Sequence, residues 1–181
     1  MTKEAEAAKK AGFLYGVWDR GADFTKTSGA DFANNLASNG TTIGATLPGV
    51  ITIDDCEGYR VITSHFWFTN SLAVHLTAGT GVSYCGGLGV TPLVKWLRDF
   101  SGTYKDKIGR YPVIATQPQW WNACTGKNTD FGQTNSWWNL RDVWTHRGKT
   151  ILPAGWANAT FISAPLQLSV AFNGSDAALQ R

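Results

Sequence analysis

The 181-residue sequence lacks the apolar run of about 18 residues that a membrane-spanning helix needs. Its first ten residues, MTKEAEAAKK, are charged and do not follow the pattern of a signal peptide. The net charge is only +3, and the 16 basic and 13 acidic residues are well mixed, which does not favour a nucleic-acid surface. We therefore expect neither a membrane nor a nucleic acid as partner, and we expect a monomer.

The sequence also lacks the patterns of a metal or nucleotide site. Its three cysteines, Cys56, Cys85 and Cys124, match no zinc-binding spacing, and its three histidines are not grouped with them. The Gly-rich stretch GVSYCGGLGV has no strand before it, as a phosphate-binding loop would require. We expect no metal and no cofactor, and an odd number of cysteines leaves at least one thiol unpaired in a monomer.

Aromatic residues, by contrast, are abundant, with 9 Trp, 9 Phe and 5 Tyr. A tryptophan can form a flat platform for a ligand such as a sugar ring, or it can fill a hydrophobic core. For any single tryptophan of this chain, core packing is the favoured interpretation.

The first part of the chain alternates between helix and strand patterns. Residues 2–12 predict a helix that Gly12 ends, and residues 13–18 predict a strand of bulky and β-branched side chains. Ser28 is predicted to cap a second helix, which ends before Gly40.

The second part of the chain continues the alternation. After the strand LPGVITID comes the clearest helix, with Thr91 at its cap, Gly109 at its end and one apolar stripe formed by Leu93, Trp96, Leu97, Phe100 and Tyr104. Strands are predicted in the stretches YPVIAT, WNLRDVW and ATFISAP. This order predicts an α/β fold with parallel strands, and both an open doubly wound sheet and a barrel satisfy it.

Chemistry in parallel α/β folds lies at the carboxyl ends of the strands. That rule places Asp19, Asp54, Asp55 and Thr116 on one rim of the sheet. For Asp54 and Asp55, a catalytic role and a role as solvated loop acids are equally compatible with the residues alone.

Several stretches resemble the glycoside hydrolase family 25 lysozymes, muramidases that cleave peptidoglycan between its alternating sugars. The most specific is GRYPVIATQPQWWNACTGKNTDFG, and further stretches agree in the same order: AAKKAGFLYGVW, TLPGVITID, LVKWLRDFSGTY, LPAGW and FNGS. The resemblance covers most of the chain in fragments. It implies a TIM-like (β/α) barrel, secretion, and a disulfide between Cys85 and Cys124.

The resemblance begins at the helix that normally leads to the third strand of the family barrel. We therefore expect a single domain over residues 1–181 that forms an incomplete barrel without the first two strands. An atypical insertion at about residues 59–79 has no counterpart in the family. It either pairs on the open sheet edge or is extraneous sequence, and the second interpretation is favoured.

The resemblance also implies how the active site has changed. The family carries an Asp-x-Glu pair on its fourth strand, and here Thr52 stands at the Asp position and Asp54 at the Glu position. Asp54 is the candidate catalytic acid. The candidate substrate-binding residues are Asp19, Thr52, Thr116, Trp138 and Arg141. Family positions for a Tyr and a sugar-facing aromatic are replaced by Ala115 and by the stretch FISA.

These observations predict a lysozyme-like glycoside hydrolase of peptidoglycan whose activity is weak or lost. One alternative is a non-catalytic module that still binds peptidoglycan or a related glycan through its aromatic residues. Another is a defective gene product without a stable function, which would show no cooperative melt.

Overall fold

The computed structural model describes residues 3–21, 24–53, 85–139, 152–163 and 170–172. Asp54, Asp55, Cys56, Arg141 and the insertion predicted at about residues 59–79 lie outside these ranges.

The described residues build a six-stranded sheet in which strands that follow one another in the chain are also neighbours in space. The strands are β1 (Trp18–Arg20), β2 (Val50–Ile53), β3 (Val113–Thr116), β4 (Trp137–Asn139), β5 (Phe161–Ser163) and β6 (Val170–Phe172). Strands β1 to β5 pair in parallel, and β6 pairs antiparallel to β5. A doubly wound sheet would reverse its strand order, so the sequential order identifies a partial TIM-like barrel.

Within the described ranges, four α-helices and one short 3₁₀-helix accompany these strands. The helices are α1 (Lys3–Lys10), α2 (Gly29–Ile43), α3 (Val90–Ile108) and α4 (Pro118–Cys124), and the 3₁₀-helix is Asp130–Gln133. Among the described helices, none is long and apolar enough to cross a membrane.

Helix α2 begins as the sequence predicts and ends later than predicted. The Ser28 hydroxyl accepts a hydrogen bond from the Asp31 N–H at 3.1 Å, which satisfies one of the free donors of the first turn. The helix does not end before Gly40 but continues to Ile43 and is closed by Gly44 in the left-handed conformation, with φ of 65°. Gly40 is buried inside the helix, where a Cβ atom would lie 3.3 Å from Val17, so this glycine allows close packing.

Helix α3 confirms the predicted apolar stripe. Its buried side chains include all five predicted members, Leu93, Trp96, Leu97, Phe100 and Tyr104. The N-cap is Gly89 where the sequence indicated Thr91, and Gly109 ends the helix in the left-handed conformation, as predicted. The stripe packs with Leu36 of α2 and with Ile51, Ile53 and Ile114 of the sheet in one hydrophobic cluster.

The prediction of a strand over residues 13–18 is wrong except for its last residue, because β1 begins only at Trp18. The Tyr15 carbonyl accepts hydrogen bonds from the N–H groups of Thr46 and Leu47 at 2.9 and 3.0 Å. These bonds join the segment to the loop after α2, so its backbone does not enter the sheet ladder at that point. Phe13 and Leu14 are exposed as a result.

Two glycines bring together the stretches NTDFG and LPAGW. A Cβ atom on Gly132 would lie 1.8 Å from the Gly155 carbonyl oxygen, and Gly155 itself has a φ of +95°. The same contact is supported by the Trp156 indole N–H, which donates to the Asn135 carbonyl at 2.7 Å. Only glycine fits such an approach of two backbones.

Tyr104 of α3 holds the backbone of Gly49, the residue directly before β2. Its hydroxyl accepts a hydrogen bond from the Gly49 N–H at 2.6 Å, in a buried position. Burial raises the pKa of Tyr104 above its usual value, and the Gly49 hydrogen bond and the charge of Arg110 oppose this shift.

We predict that Tyr104→Phe lowers the free energy of unfolding by about 1–3 kcal/mol, because the buried Gly49 N–H loses its acceptor. Urea denaturation measures the change. The control is Tyr111→Phe, which keeps the aromatic ring beneath Lys105. Equal losses in both variants would contradict the role given to the Gly49 bond.

The same variant has an expected pH dependence. Because the folded pKa of Tyr104 is raised, its contribution to stability is complete below about pH 10, the unfolded value, and is lost as pH rises through the folded pKa. The difference in stability between wild type and Tyr104→Phe should therefore shrink above that pH.

Candidate functional site

Alternation along the strands gives the sheet two chemically different faces. Ile51, Ile53, Ile114 and Trp137 point towards the helices and belong to the hydrophobic cluster. Residues one position away point to the opposite side, because side chains alternate along a strand and partners in register share a face. We call this second side the inner face; it carries the in-register row Thr52, Ala115, Trp138 and Phe161.

Thr52 lies near the carboxyl end of β2 and is only 5% exposed. Its hydroxyl oxygen accepts a hydrogen bond from the indole N–H of Trp18 at 2.5 Å. Trp18 is in register with Val50, and therefore lies on the inner face with Thr52. The bond gives the Thr52 hydroxyl a polar partner and fixes the orientation of the indole.

The row has small side chains on β2 and β3 and aromatic side chains on β4 and β5. Ala115 is fully buried beside Thr52. Trp138 and Phe161 are both half-buried, and their ring centroids are 6.0 Å apart at an interplanar angle of 47°. On the inner face, the short and buried side chains of Thr52 and Ala115 therefore lie next to the aromatic pair Trp138–Phe161. Trp18 lies one row away, in register with Val50.

The structure separates two candidate site residues from this row. Asp19 is in register with Ile51, and Thr116 is in register with Ile53. Both positions therefore belong to the helix side of the sheet, opposite to Thr52. Thr116 is fully buried, and its hydroxyl has no hydrogen-bond partner among the described residues.

No carboxylate lies on the inner face of β1 to β5 within the described part of the chain. The candidate acid Asp54 and the candidate ligand-binding residue Arg141 lie outside that part. Nor do the described residues contain a group of three or more His, Cys, Asp or Glu side chains that could hold a metal ion. The described inner face can thus offer aromatic surfaces and hydroxyls, but no proton donor of carboxylic type.

A disulfide holds one loop at the carboxyl side of the sheet. Cys85 and Cys124 are joined, with their Cα atoms 5.4 Å apart, as the family resemblance implied. The bond fastens the segment before α3 to the end of α4, and the Gly86 carbonyl accepts a hydrogen bond from the Phe24 N–H at 3.0 Å. Phe24 in turn lies edge-on to Trp96 with ring centroids 4.7 Å apart, so the loop after β1 is held in place as well.

Trp120 and Trp121 are core residues and not a sugar platform, in agreement with the favoured sequence interpretation. They are 2% and 0% exposed. The Trp121 indole packs against Trp156 with ring centroids 4.8 Å apart, and its N–H donates to the Asn128 carbonyl at 3.0 Å.

The sequence reasoning missed Trp18 and Phe161 as inner-face residues. The available signal for Trp18 was its place as the last residue of the strand predicted over residues 13–18, directly before the predicted rim residue Asp19. The signal for Phe161 was the motif FISA, which was interpreted as the loss of an aromatic residue although its first position keeps one.

The known proteins that this chain resembles in sequence are named as muramidases or lysozymes. No family model matches the sequence. The N,O-diacetylmuramidase of Arthroderma benhamiae is 32% identical over 139 residues, which is 77% of this chain and 48% of that protein. The chain thus spans about half the length of this curated relative.

Solved structures of muramidases and lysozymes also have a similar fold. The structure of a muramidase from Acremonium alcalophilum matches with a TM-score of 0.70 and 29% identity, covering 98% of this chain and 76% of that one. A family GH25 lysozyme from Aspergillus fumigatus matches in fold with a TM-score of 0.69, at 22% identity, over 98% of this chain and 77% of that one.

We predict that the unfolded, non-reduced protein contains one free thiol, because the disulfide leaves only Cys56 of the three cysteines. Replacing Cys85 and Cys124 together by Ser should lower the free energy of unfolding by roughly 4 kcal/mol, on the chain-entropy model for a loop of this length. Thiol titration and urea denaturation test both statements. Cys56→Ser is the control variant, and three titratable thiols in freshly purified protein would exclude the pairing.

Proposed function

This chain belongs to the glycoside hydrolase family 25 lysozymes, and on that premise we propose that it binds peptidoglycan or a related glycan on its inner face. In this proposal, cleavage of the β-1,4 bond between N-acetylmuramic acid and N-acetylglucosamine is weak or lost. Glycan binding on a lysozyme scaffold is then the activity that remains. The observation that carries the proposal is Thr52, a neutral side chain bonded to Trp18, at the position that the family resemblance aligns with an Asp.

Cleavage of a glycosidic bond needs one carboxyl group that protonates the leaving oxygen and a second charge that stabilises the positive transition state. A threonine hydroxyl carries no negative charge at neutral pH. The Trp18 N–H uses an acceptor lone pair of this hydroxyl. We infer that the position of Thr52 contributes polar contact to a bound sugar but no stabilisation of positive charge.

Asp54 remains the candidate for the proton donor, as a proposal from the family motif. An Asp carboxyl at a Glu position lies one carbon–carbon bond, about 1.5 Å, short of the Glu carboxyl. A misplacement of about 1 Å can lower a rate by ~100-fold. We therefore propose that Asp54 supports slow cleavage at most.

For substrate contact, the proposal uses Thr52 and Trp138, which share the inner face, and it retains Arg141 as an expectation from the family motif. Asp19 and Thr116 are given no role in binding, because their register positions belong to the helix side. The half-exposed rings of Trp138 and Phe161 favour binding, since aromatic rings can pack on the apolar faces of sugars.

The disulfide supports an extracellular location, which we propose as the site of action. Disulfides persist in oxidising compartments and are rare in the cytosol. The glycan wall of bacteria is accessible to a protein in such a compartment.

We predict that the double substitution Thr52→Asp with Asp54→Glu raises the release of reducing ends from purified peptidoglycan by about 100-fold or more, the scale of general acid catalysis. The substitutions rebuild the acidic pair of the family, and the Trp18 N–H can donate to the new Asp as it does to Thr52. Reducing-end release over time is the measurement.

The matched control is Thr52→Asn with Asp54→Gln, which has similar side-chain sizes and no carboxyl groups. It should release no more reducing ends than wild type. If the acidic double variant folds cooperatively and still releases no more than this control, the loss of the acids does not explain weak cleavage.

A further inference from the structure

Trp18 is the most exposed of the described tryptophans and is accessible to a ligand. Its side chain is 62% exposed, whereas Trp96, Trp120, Trp121, Trp137 and Trp156 are buried and Trp138 is half-buried. An exposed indole leaves a large apolar surface in water, and a ligand that covers this surface gains free energy by burying it.

The indole is nevertheless held in a defined orientation. Its N–H donates to the hydroxyl of Thr52, a side chain that is 95% buried and therefore fixed by its surroundings. The polar atom of Trp18 is thus already satisfied within the protein, and the exposed part of the ring is apolar. An aromatic side chain that is immobilised before binding loses little conformational entropy when a ligand covers it.

The position of Trp18 relates it to the other aromatic residues of the inner face. Trp18 lies on β1 and Trp138 on β4, so three strand spacings, about 14 Å, separate them across the sheet, and an offset of two residues, about 7 Å, separates them along the strands. The strands between them carry short, buried inner-face side chains, Thr52 on β2 and Ala115 on β3. A ligand that touches both aromatic positions must therefore be elongated, with apolar faces near its two ends.

We propose that Trp18 is a binding platform for one sugar ring of an elongated glycan, with Thr52 as the positioning residue that holds its indole. This inference rests on the proposed function, and it assigns the ligand class as oligomers of N-acetylated hexosamines long enough to reach from Trp18 to Trp138. The apolar C–H face of one ring packs on the Trp18 indole, and another ring of the same chain packs near Trp138 and Phe161. Short fragments reach only one of the two positions.

The test uses the full chain and calorimetric titration with N-acetylglucosamine oligomers of two and five units, beside co-sedimentation with insoluble peptidoglycan. For Trp18→Ala, we expect the Kd of the pentamer to rise at least about fivefold, the scale of an aromatic packing contact. The dimer should be affected less. Trp18→Phe should fall between wild type and Trp18→Ala, because it keeps a ring and loses the N–H.

Thr52→Val separates positioning from contact. It removes the acceptor of the Trp18 N–H and keeps the indole side chain itself. We expect Thr52→Val to raise the Kd of the pentamer in wild type and to raise it less in a Trp18→Phe background, because the hydrogen bond is already absent there. Additive effects of the two substitutions would exclude the positioning role.

Phe13→Ala is the control for exposed apolar surface, since Phe13 is 68% exposed and lies outside the sheet. It should bind like wild type, and all variants should melt cooperatively at similar temperatures. Tight pentamer binding that is unchanged in Trp18→Ala would overturn this inference and leave the proposed function standing. No binding of either oligomer or peptidoglycan by folded wild type would overturn both.

Discussion

The packing of α2 and α3 against one face of the parallel sheet is the constraint on which the rest of the structure depends. It requires alternate strand residues to be apolar, and Ile51, Ile53, Ile114 and Trp137 meet this requirement. The residues between them are then directed to the inner face, where packing against helices does not restrict them. The hydrophobic cluster and the candidate binding surface are therefore two consequences of one alternation.

In the proposed function, this separation explains how a lysozyme scaffold keeps its fold although its acidic pair is changed. Thr52 adds no buried charge on the inner face, and its hydroxyl is satisfied by the Trp18 N–H. The motif around Trp121 serves the core, through Trp156, Phe131 and the disulfide at Cys124. The motif that identifies the family most specifically, around Trp121, therefore has a structural role and gives little information about catalysis.

Local chemistry made much of the fold predictable. The Ser28 cap, the Gly109 end and the stripe of α3 each depend on residues close together in sequence. Local sequence did not predict where β1 begins, because that depends on hydrogen bonds from Thr46 to the distant Tyr15. Nor did it predict the late end of α2, because Gly40 stays within the helix and packs against Val17. For the site, the family motif pointed to Thr52, but its pairing with Trp18 depends on the register between β1 and β2, which no local pattern specifies.

The central claim is that this chain binds the glycan that its relatives are named for cleaving and cleaves it slowly or not at all. Purified wild type should be mixed with insoluble peptidoglycan, and protein in the pellet and reducing ends in the supernatant should be measured in the same sample. The account predicts saturable binding with a release rate at least ~100-fold below that of an active family lysozyme at equal concentration. Release at the rate of the active enzyme would contradict it, and so would a folded protein that stays entirely in the supernatant.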